Sequence, residues 1–253
     1  MWELAQQVLT IARQAGDVVM AFYDREYQID MKEDHSPVTE ADRAAHTVIS
    51  SGLLALDGQF PMLSEEDLSG FHGADVEGCY WLVDPLDGTR EYIKRNGEFT
   101  VNIALVCQGK PVLGVIHIPT TKVSYFGVNH LGAYKVTDNW IFERLPLVDE
   151  TKDMAGVLRV VGSRSHQSTE LMAWLEDVGV YQLHYVGSSL KFCLIAEGRA
   201  DVYPRFGPTG LWDTAAGHVI VSESGGTVRC VTGEELSYEP VAPYLNPSFV
   251  VRG

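Results

Sequence analysis

The apolar run Tyr80-Trp81-Leu82-Val83 leads directly into Asp84-Pro85-Leu86-Asp87-Gly88-Thr89, and this junction constrains the fold more than any other stretch. Consecutive apolar residues bounded by turn formers read as a buried strand, and Pro85, fixed in φ and lacking an N–H, prevents a regular strand from continuing. The spacing predicts a turn from Asp84 that brings the Asp84 and Asp87 carboxylates and the Leu86 carbonyl onto one face. Hard oxygens without a neighbouring His or Cys suit Mg²⁺ or Mn²⁺ rather than Zn²⁺. Gly88 allows close backbone approach, and Thr89 places a hydroxyl at the start of a predicted helix, where free N–H groups favour a phosphate. The same residues also read as an Asp-Pro turn followed by an Asp helix cap, so other segments must decide.

Upstream, Ser64-Glu65-Glu66-Asp67 follows a short apolar run, where a second strand would deliver a carboxylate into a crevice; Glu65 is the candidate bridging ligand. Adjacent acids on a loop are usually just a solvated surface, so this segment is a weak signal by itself. Asp213, in Trp212-Asp213-Thr214-Ala215, precedes a segment that predicts a buried helix, where it serves either as a cap or as a further metal ligand. Thr39 and Asp42 have capping-box spacing ahead of Ala45, Val48, Ile49 and Leu53, and a catalytic role for Asp42 requires it to face Thr89. Gly187-Ser188-Ser189-Leu190-Lys191 marks a strand-to-helix transition suited to phosphate or sugar, or simply a helix entrance. Lys191 and Arg205 are candidates for neutralising a second phosphate.

Taken together, these segments resemble the Mg²⁺-dependent, lithium-sensitive inositol monophosphatase superfamily. The resemblance rests on Ser36-Pro37-Val38-Thr39-Glu40-Ala41-Asp42, Leu63-Ser64-Glu65-Glu66-Asp67, Trp81 to Thr89, Gly187 to Cys193 and Trp212 to Gly217. Arg95-Asn96-Gly97-Glu98-Phe99-Thr100 and Tyr203-Pro204-Arg205-Phe206-Gly207-Pro208-Thr209 are similar to its 3'(2'),5'-bisphosphate nucleotidase branch. Tyr92 and Ile116-His117-Ile118-Pro119 depart from the usual pattern without removing an expected carboxylate.

The resemblance implies that Glu65, Asp84, Asp87, Asp213 and the Leu86 carbonyl hold two or three Mg²⁺ ions. It implies catalytic roles for Asp42, Glu65 and Thr89, with Li⁺ and, secondarily, Ca²⁺ as inhibitors. Substrate would meet Glu65, Leu86, Asp87, Gly88, Thr89 and Asp213, with Gly187, Ser188, Ser189, Lys191 and Arg205 on the nucleoside side. The implied activity is hydrolysis of adenosine 3',5'-bisphosphate to AMP, with the sulfated donor of sulfur metabolism as a second substrate. An inositol or sugar phosphatase with the same metal site, or a non-catalytic protein bound to transcription machinery, are the alternatives.

The implied architecture is a layered α/β/α/β/α sandwich, with an antiparallel sheet in residues 1–147 and a mostly parallel one in residues 148–253. The pattern of Leu4, Val8, Ile11, Ala15, Val18 and Phe22 predicts an N-terminal amphipathic helix, not a signal peptide. Residues 99–106 and 112–118 predict a hairpin across Cys107-Gln108-Gly109-Lys110, and residues 157–161 and 182–186 predict strands alternating with helices after His166 and Ser188. Cys79, Cys107, Cys193 and Cys230 show neither metal spacing nor a secreted disulfide framework, and no apolar run is long enough to span a membrane, which fits a reducing cytoplasm. Peripheral contact with the inner membrane face, described for some relatives, is left open, as is the choice of monomer or homodimer. A net charge of −15 argues against nucleic-acid partners, whereas bound metals would reverse the local sign for a small anionic substrate.

Overall fold

A computed structural model describes residues 1–23, 25, 29–31, 37–147, 156–164 and 168–253. Ser36, His166 and residues 148–155, the first of the expected second half, lie outside the described residues. Helix α1 (Trp2–Tyr23) buries Val8, Ile11 and Ala15 of the predicted stripe, whereas Leu4, Val18 and Phe22 are only partly buried and the neighbouring Ala5 and Val19 turn inward. A short antiparallel pair, β1 (Ile29–Met31) and β2 (Pro37–Thr39), leads into α2 (Glu40–Leu54). There follow β3 (Met62–Ser64), β4 (Cys79–Asp87), the short α3 (Thr89–Ile93), β5 (Thr100–Cys107), β6 (Lys110–Ile118), β7 (Val123–Val128), β8 (Gly132–Val136) and β9 (Phe142–Arg144). Strands β3 to β9 form a seven-stranded sheet in sequence order, antiparallel except for the parallel β3–β4 pair. The predicted hairpin is β5–β6, turned at Gln108-Gly109.

The remaining elements are β10 (Leu158–Ser163), α4 (Thr169–Asp177), β11 (Tyr181–Val186), α5 (Leu190–Ala196), β12 (Val202–Arg205), β13 (Thr209–Gly210), a 3₁₀ turn (Leu211–Asp213), α6 (Ala215–Glu223), β14 (Thr227–Cys230), β15 (Leu245–Asn246) and β16 (Phe249–Arg252). They build a five-stranded sheet in the order β11-β10-β12-β16-β14. It is parallel through β11, β10 and β12, and β16 runs antiparallel to both β12 and β14, so four of the five strands share one direction and the sheet is mostly parallel, with one reversed strand inserted. The reason is local: no helix separates β14 from β16, and without a crossover helix successive strands return antiparallel.

Three apolar clusters define the five layers. One lies between α1–α2 and the outer face of the seven-stranded sheet, joining Val8, Ala12, Ala45 and Ile49 to Trp81, Val83, Val101 and Val115. The second fills the space between the two sheets around α5 and α6, with Leu82, Ala104 and Ile116 from one side and Val161, Tyr203, Phe249 and Val251 from the other. The third, beneath α4, holds Val160, Leu171, Leu175 and Val202. Helix α6 lies so close to the first sheet that a Cβ on Gly114 would stand 2.6 Å from the Ala216 carbonyl oxygen, and one on Gly127 would stand 2.8 Å from Ile220 Cα. Among the described residues no helix is long and apolar enough to cross a membrane.

The cysteine spacing shows no disulfide framework, yet two of the four cysteines pair in the fold. Cys79 opens β4 and Cys107 closes β5; the antiparallel register places them opposite each other, Cα atoms 4.0 Å apart, and they form a disulfide. Spacing along the chain held no sign of this, because the pairing comes from strand register. Cys193 is a buried free thiol and Cys230 a partly exposed one.

Candidate active site

Strand β4 does not stop at Pro85. Its pairing with β5 continues to Asp87 through a bulge: Asp84 faces Asn102 and Asp87 faces Thr100, so three residue steps on β4 match two on β5. In a regular strand, residues three apart point to opposite faces. The extra residue restores the parity, so both aspartates line the same cavity, and a proline with no N–H to donate is accommodated at the irregular position. Asp84 is 1% exposed and accepts the Leu86 N–H at 3.1 Å through Oδ1. Gly88 follows at φ 91°, and a Cβ there would meet the Glu98 carbonyl oxygen at 3.0 Å and Ser188 Cβ at 3.2 Å.

Glu65 arrives from the end of β3, its N–H bonded to the Val83 carbonyl, so the parallel β3–β4 pair sets one carboxylate beside the other. Behind it, buried Ser64 is held by His46 Nδ1 at 2.9 Å. Asp213 ends the 3₁₀ turn and accepts the Gly210 N–H at 3.0 Å, whereas Thr214 occupies the cap of α6; the expected cap therefore sits one residue later. Carboxylate oxygens of Glu65, Asp84 and Asp213 lie within 4.8 Å of one another. Burial, with the Asp87 and Glu65 charges added, pushes the Asp213 carboxyl well above the usual range. These groups line a cavity of about 370 Å³ between the two halves.

Asp42 and Thr89 meet, as a catalytic pairing requires, with Thr89 Oγ1 donating toward Asp42 Oδ1 at 3.2 Å and toward the Leu86 carbonyl at the same distance. The capping box forms as well: Asp42 Oδ2 accepts from the Thr39 N–H at 2.7 Å and from Thr39 Oγ1 at 2.6 Å. The two readings of this segment are compatible because each uses a different oxygen of one buried carboxylate.

Gly187, Ser188, Ser189, Lys191 and Arg205 also line the cavity. The Gly187 N–H is bonded to Glu98 Oε2 at 2.8 Å, and Arg164 grips the same carboxylate with Nε and Nη2, both at 2.7 Å. Burial opposes ionisation of Glu98, but the Arg164 bond and the Gly187 N–H prevail and lower its pKa. The buried Lys191 ammonium donates to the Val186 and Ser188 carbonyls and lies 5.2 Å from the centre of the Tyr203 ring. Burial brings its pKa down to about 8 against the raising effect of Asp87, Glu91 and Asp213. Arg205 is tied to Thr209 Oγ1 and the Pro208 carbonyl.

The model of the inositol monophosphatase family matches residues 2–248. The chain belongs to the inositol monophosphatase family. It is 48% identical over 250 residues to the 3'(2'),5'-bisphosphate nucleotidase CysQ of Salmonella typhimurium, covering 98% of this chain and 99% of that one. It is 47% identical, with the same coverage, to CysQ of Escherichia coli K12. A crystal structure of CysQ from Bacteroides thetaiotaomicron, described as a bacterial member of the inositol monophosphatase family, aligns with a TM-score of 0.85 at 42% identity, covering 99% of this chain and 97% of that one.

Members of the inositol monophosphatase family generally use metal ions, and the donor set here fits one. Three carboxylates converge, the cavity lining among the described residues holds no His or Cys, and a divalent cation would offset the like charges that add to burial in raising Asp213. Two polar residues of the site, Thr100 and Asn102, escaped the sequence reading. Their signal was present as polar residues at alternate positions in the apolar run Phe99 to Leu105, the mark of a strand with one face on a polar site.

Proposed function

We propose that this chain is a Mg²⁺-dependent phosphomonoesterase that hydrolyses adenosine 3',5'-bisphosphate to AMP and phosphate. The observation that carries this reading is the convergence of Glu65, Asp84 and Asp213 in the inter-half cavity of a chain so similar to bisphosphate nucleotidases. Glu65, Asp84, Asp87, Asp213 and the Leu86 carbonyl would hold the ions. Mg²⁺ there would supply charge to offset the phosphate oxygens and the leaving 3'-oxygen and would lower the pKa of a water. The water oxygen forms the new bond to phosphorus, the P–O3' bond breaks, and the ribose oxygen leaves with a proton.

Thr89 positions the water. Its single proton is directed toward Asp42 and the Leu86 carbonyl, so its lone pairs remain to accept a hydrogen bond from a water in the cavity. Asp42, held on its other oxygen by Thr39, fixes that orientation and takes up positive charge as the water loses its proton. The sulfated donor presents the same 3'-phosphate and is expected as a second substrate. A cytoplasmic setting fits substrates of sulfur metabolism, and there Cys79 and Cys107 would face reduction to a dithiol.

The test is phosphate release from adenosine 3',5'-bisphosphate and inositol 1-phosphate in parallel, with Mg²⁺, with chelator and with Li⁺. The expected result is a strong nucleotide preference, abolished by chelator and inhibited by Li⁺. Preference for inositol phosphate would keep the metal chemistry and replace the substrate, and inactivity on both would remove the enzyme reading.

A further inference from the structure

The side chains that face Asp87 outline a device that spans the two halves of the molecule. Ser188 Oγ donates to Asp87 Oδ2 at 2.9 Å, Ser189 Oγ at 2.7 Å and Asn102 Nδ2 at 3.3 Å. Both serines are in turn met by side chains of β5. Thr100 Oγ1 lies 2.6 Å from Ser188 Oγ and 2.9 Å from Asn102 Oδ1, and Asn102 Nδ2 lies 2.9 Å from Ser189 Oγ. Ser189 Oγ also sits 3.0 Å from the Asp213 carbonyl, bringing the segment that carries Asp213 into the same cluster.

Proton bookkeeping gives the cluster a direction. A carboxylate only accepts, and an amide NH₂ only donates. With Asp87 as the terminal acceptor, Ser188, Ser189 and Asn102 all donate toward it; Asn102 spends its second N–H on Ser189 Oγ, the single Thr100 proton is shared between Asn102 Oδ1 and Ser188 Oγ, and that of Ser189 between Asp87 and the Asp213 carbonyl. Every donor ends on Oδ2, which leaves Oδ1 to face other partners. The Ser188 backbone, at φ 54°, is an uncommon conformation for a residue with a side chain, and it is held by the Lys191 ammonium on the Ser188 carbonyl and by Glu98 on the neighbouring Gly187 N–H. Ser189 and Asn102 are 2% and 1% exposed, so neither hydroxyl nor amide is easily replaced by water.

We infer that Ser188, Ser189 and Asn102, with Thr100 and Lys191 behind them, are positioning residues that hold Asp87 by one oxygen so that the other is presented to a metal ion. This rests on the metal reading of the cavity and changes the expected role of the Gly187-Ser188-Ser189 turn from nucleoside contact to assembly of the metal site. It also gives the two halves a joint function, since Asp87 comes from one and both serines from the other. Hydrogen-bond partners of metal-binding side chains change metal affinity by about 10–100-fold when removed.

The deciding measurement is Mn²⁺ binding to the full chain without substrate, followed by electron paramagnetic resonance of the free ion, with thermal melting to confirm that each protein is folded. Ser189→Ala and Asn102→Ala should each weaken Mn²⁺ binding by about tenfold or more, while KM for adenosine 3',5'-bisphosphate at saturating metal stays within about threefold. Ser189→Thr, which keeps the hydroxyl, should recover most of the affinity, and Ser188→Ala provides the same test at a less buried position. Unchanged Mn²⁺ affinity with a raised KM would overturn the inference in favour of substrate contact, and unchanged values of both would overturn it outright. If the unsubstituted chain binds Mn²⁺ no better than Asp84→Asn, the metal reading fails first, an outcome distinct from variants that match a tightly binding parent.

Discussion

In the seven-stranded sheet, Asp84 sits on a strand buried on both faces, between the α1–α2 layer and the α5–α6 layer, whereas the site residues of the five-stranded sheet lie at or beyond strand ends. Ser188 and Ser189 occupy the β11–α5 junction, Arg205 ends β12, and Asp213 closes a 3₁₀ turn. The first half holds its carboxylates by packing and a strand bulge. The second half reaches the site through hydrogen bonds to the first: Gly187 to Glu98, and both serines to Asp87. The outer face of the second sheet is covered by a smaller cluster under α4. The difference teaches that most of the carboxylates are anchored in the first half, while the contribution of Asp213 and the setting of Asp87 depend on contacts between the halves.

Substitution of Asp84 tests the chemical half most severely. Asp84→Asn should reduce turnover by about 100-fold or more, because an anionic ligand is replaced by a neutral amide at a site whose electrostatics come from metal. Melting temperature should change little or even rise, since the like charge among Glu65, Asp84 and Asp213 is relieved. Turnover near the parent value at saturating Mg²⁺ would remove Asp84 from the metal site. Packing in the same half is tested by Gly16→Ala on α1. A Cβ there would stand 2.4 Å from the His117 ring, and the expected loss is about 1–3 kcal/mol in urea unfolding, with turnover per folded molecule unchanged.

Contact between the halves should respond more gently. Glu98→Gln keeps the shape of the side chain but removes the charge that pairs with Arg164 and accepts the Gly187 N–H. The Arg164 side chain is 44% exposed, so solvent screening limits the stability loss to about 1 kcal/mol or less. The effect on metal binding should exceed that figure in proportion, because the turn that carries Ser188 is freed. Equal, small changes in stability and Mg²⁺ dependence would mean that Glu98 merely staples the halves together.

Much of this contrast was legible in the sequence, and the part that was not has a physical explanation. Glu65, Asp84, Asp87 and Asp213 stand out because acids beside apolar runs are rare and each lies next to a turn former. The Asp42–Thr89 pair was readable only as a condition, since two residues 47 positions apart meet through tertiary packing. The bulge was invisible because it is a property of two paired strands: Pro85 signals a break, yet only the register with Asn102 and Thr100 shows the strand resuming. Lys191 looked like a phosphate ligand because a sequence gives charge but not burial, and the folded chain surrounds that charge with carbonyls. The disulfide likewise depends on β4 and β5 being neighbours in the right register.

The smallest expected effect at neutral pH separates the core of the first half from the site. His117 on β6 is 3% exposed, packed against α1 at Gly16 and bonded through Nδ1 to Ser124 Oγ at 2.9 Å. Burial, aided by the Arg13 charge, lowers its pKa from 6.5 to about 3. The unfolded chain therefore takes up a proton as pH falls below about 6.5, which the folded chain refuses until near 3, so this group makes stability decline with acid across that window. Between about pH 7 and pH 5.5 the loss should be about 1 kcal/mol, and His117→Phe, which fills the ring volume without titrating, should flatten that part of the stability profile. His218 on α6, lowered by burial to about 4 and bonded to Tyr238, contributes a slope of the same sign and remains in the variant as an internal reference. If the profile of His117→Phe tracks the parent, the acid sensitivity arises elsewhere, and the carboxylate cluster between the halves becomes the place to look.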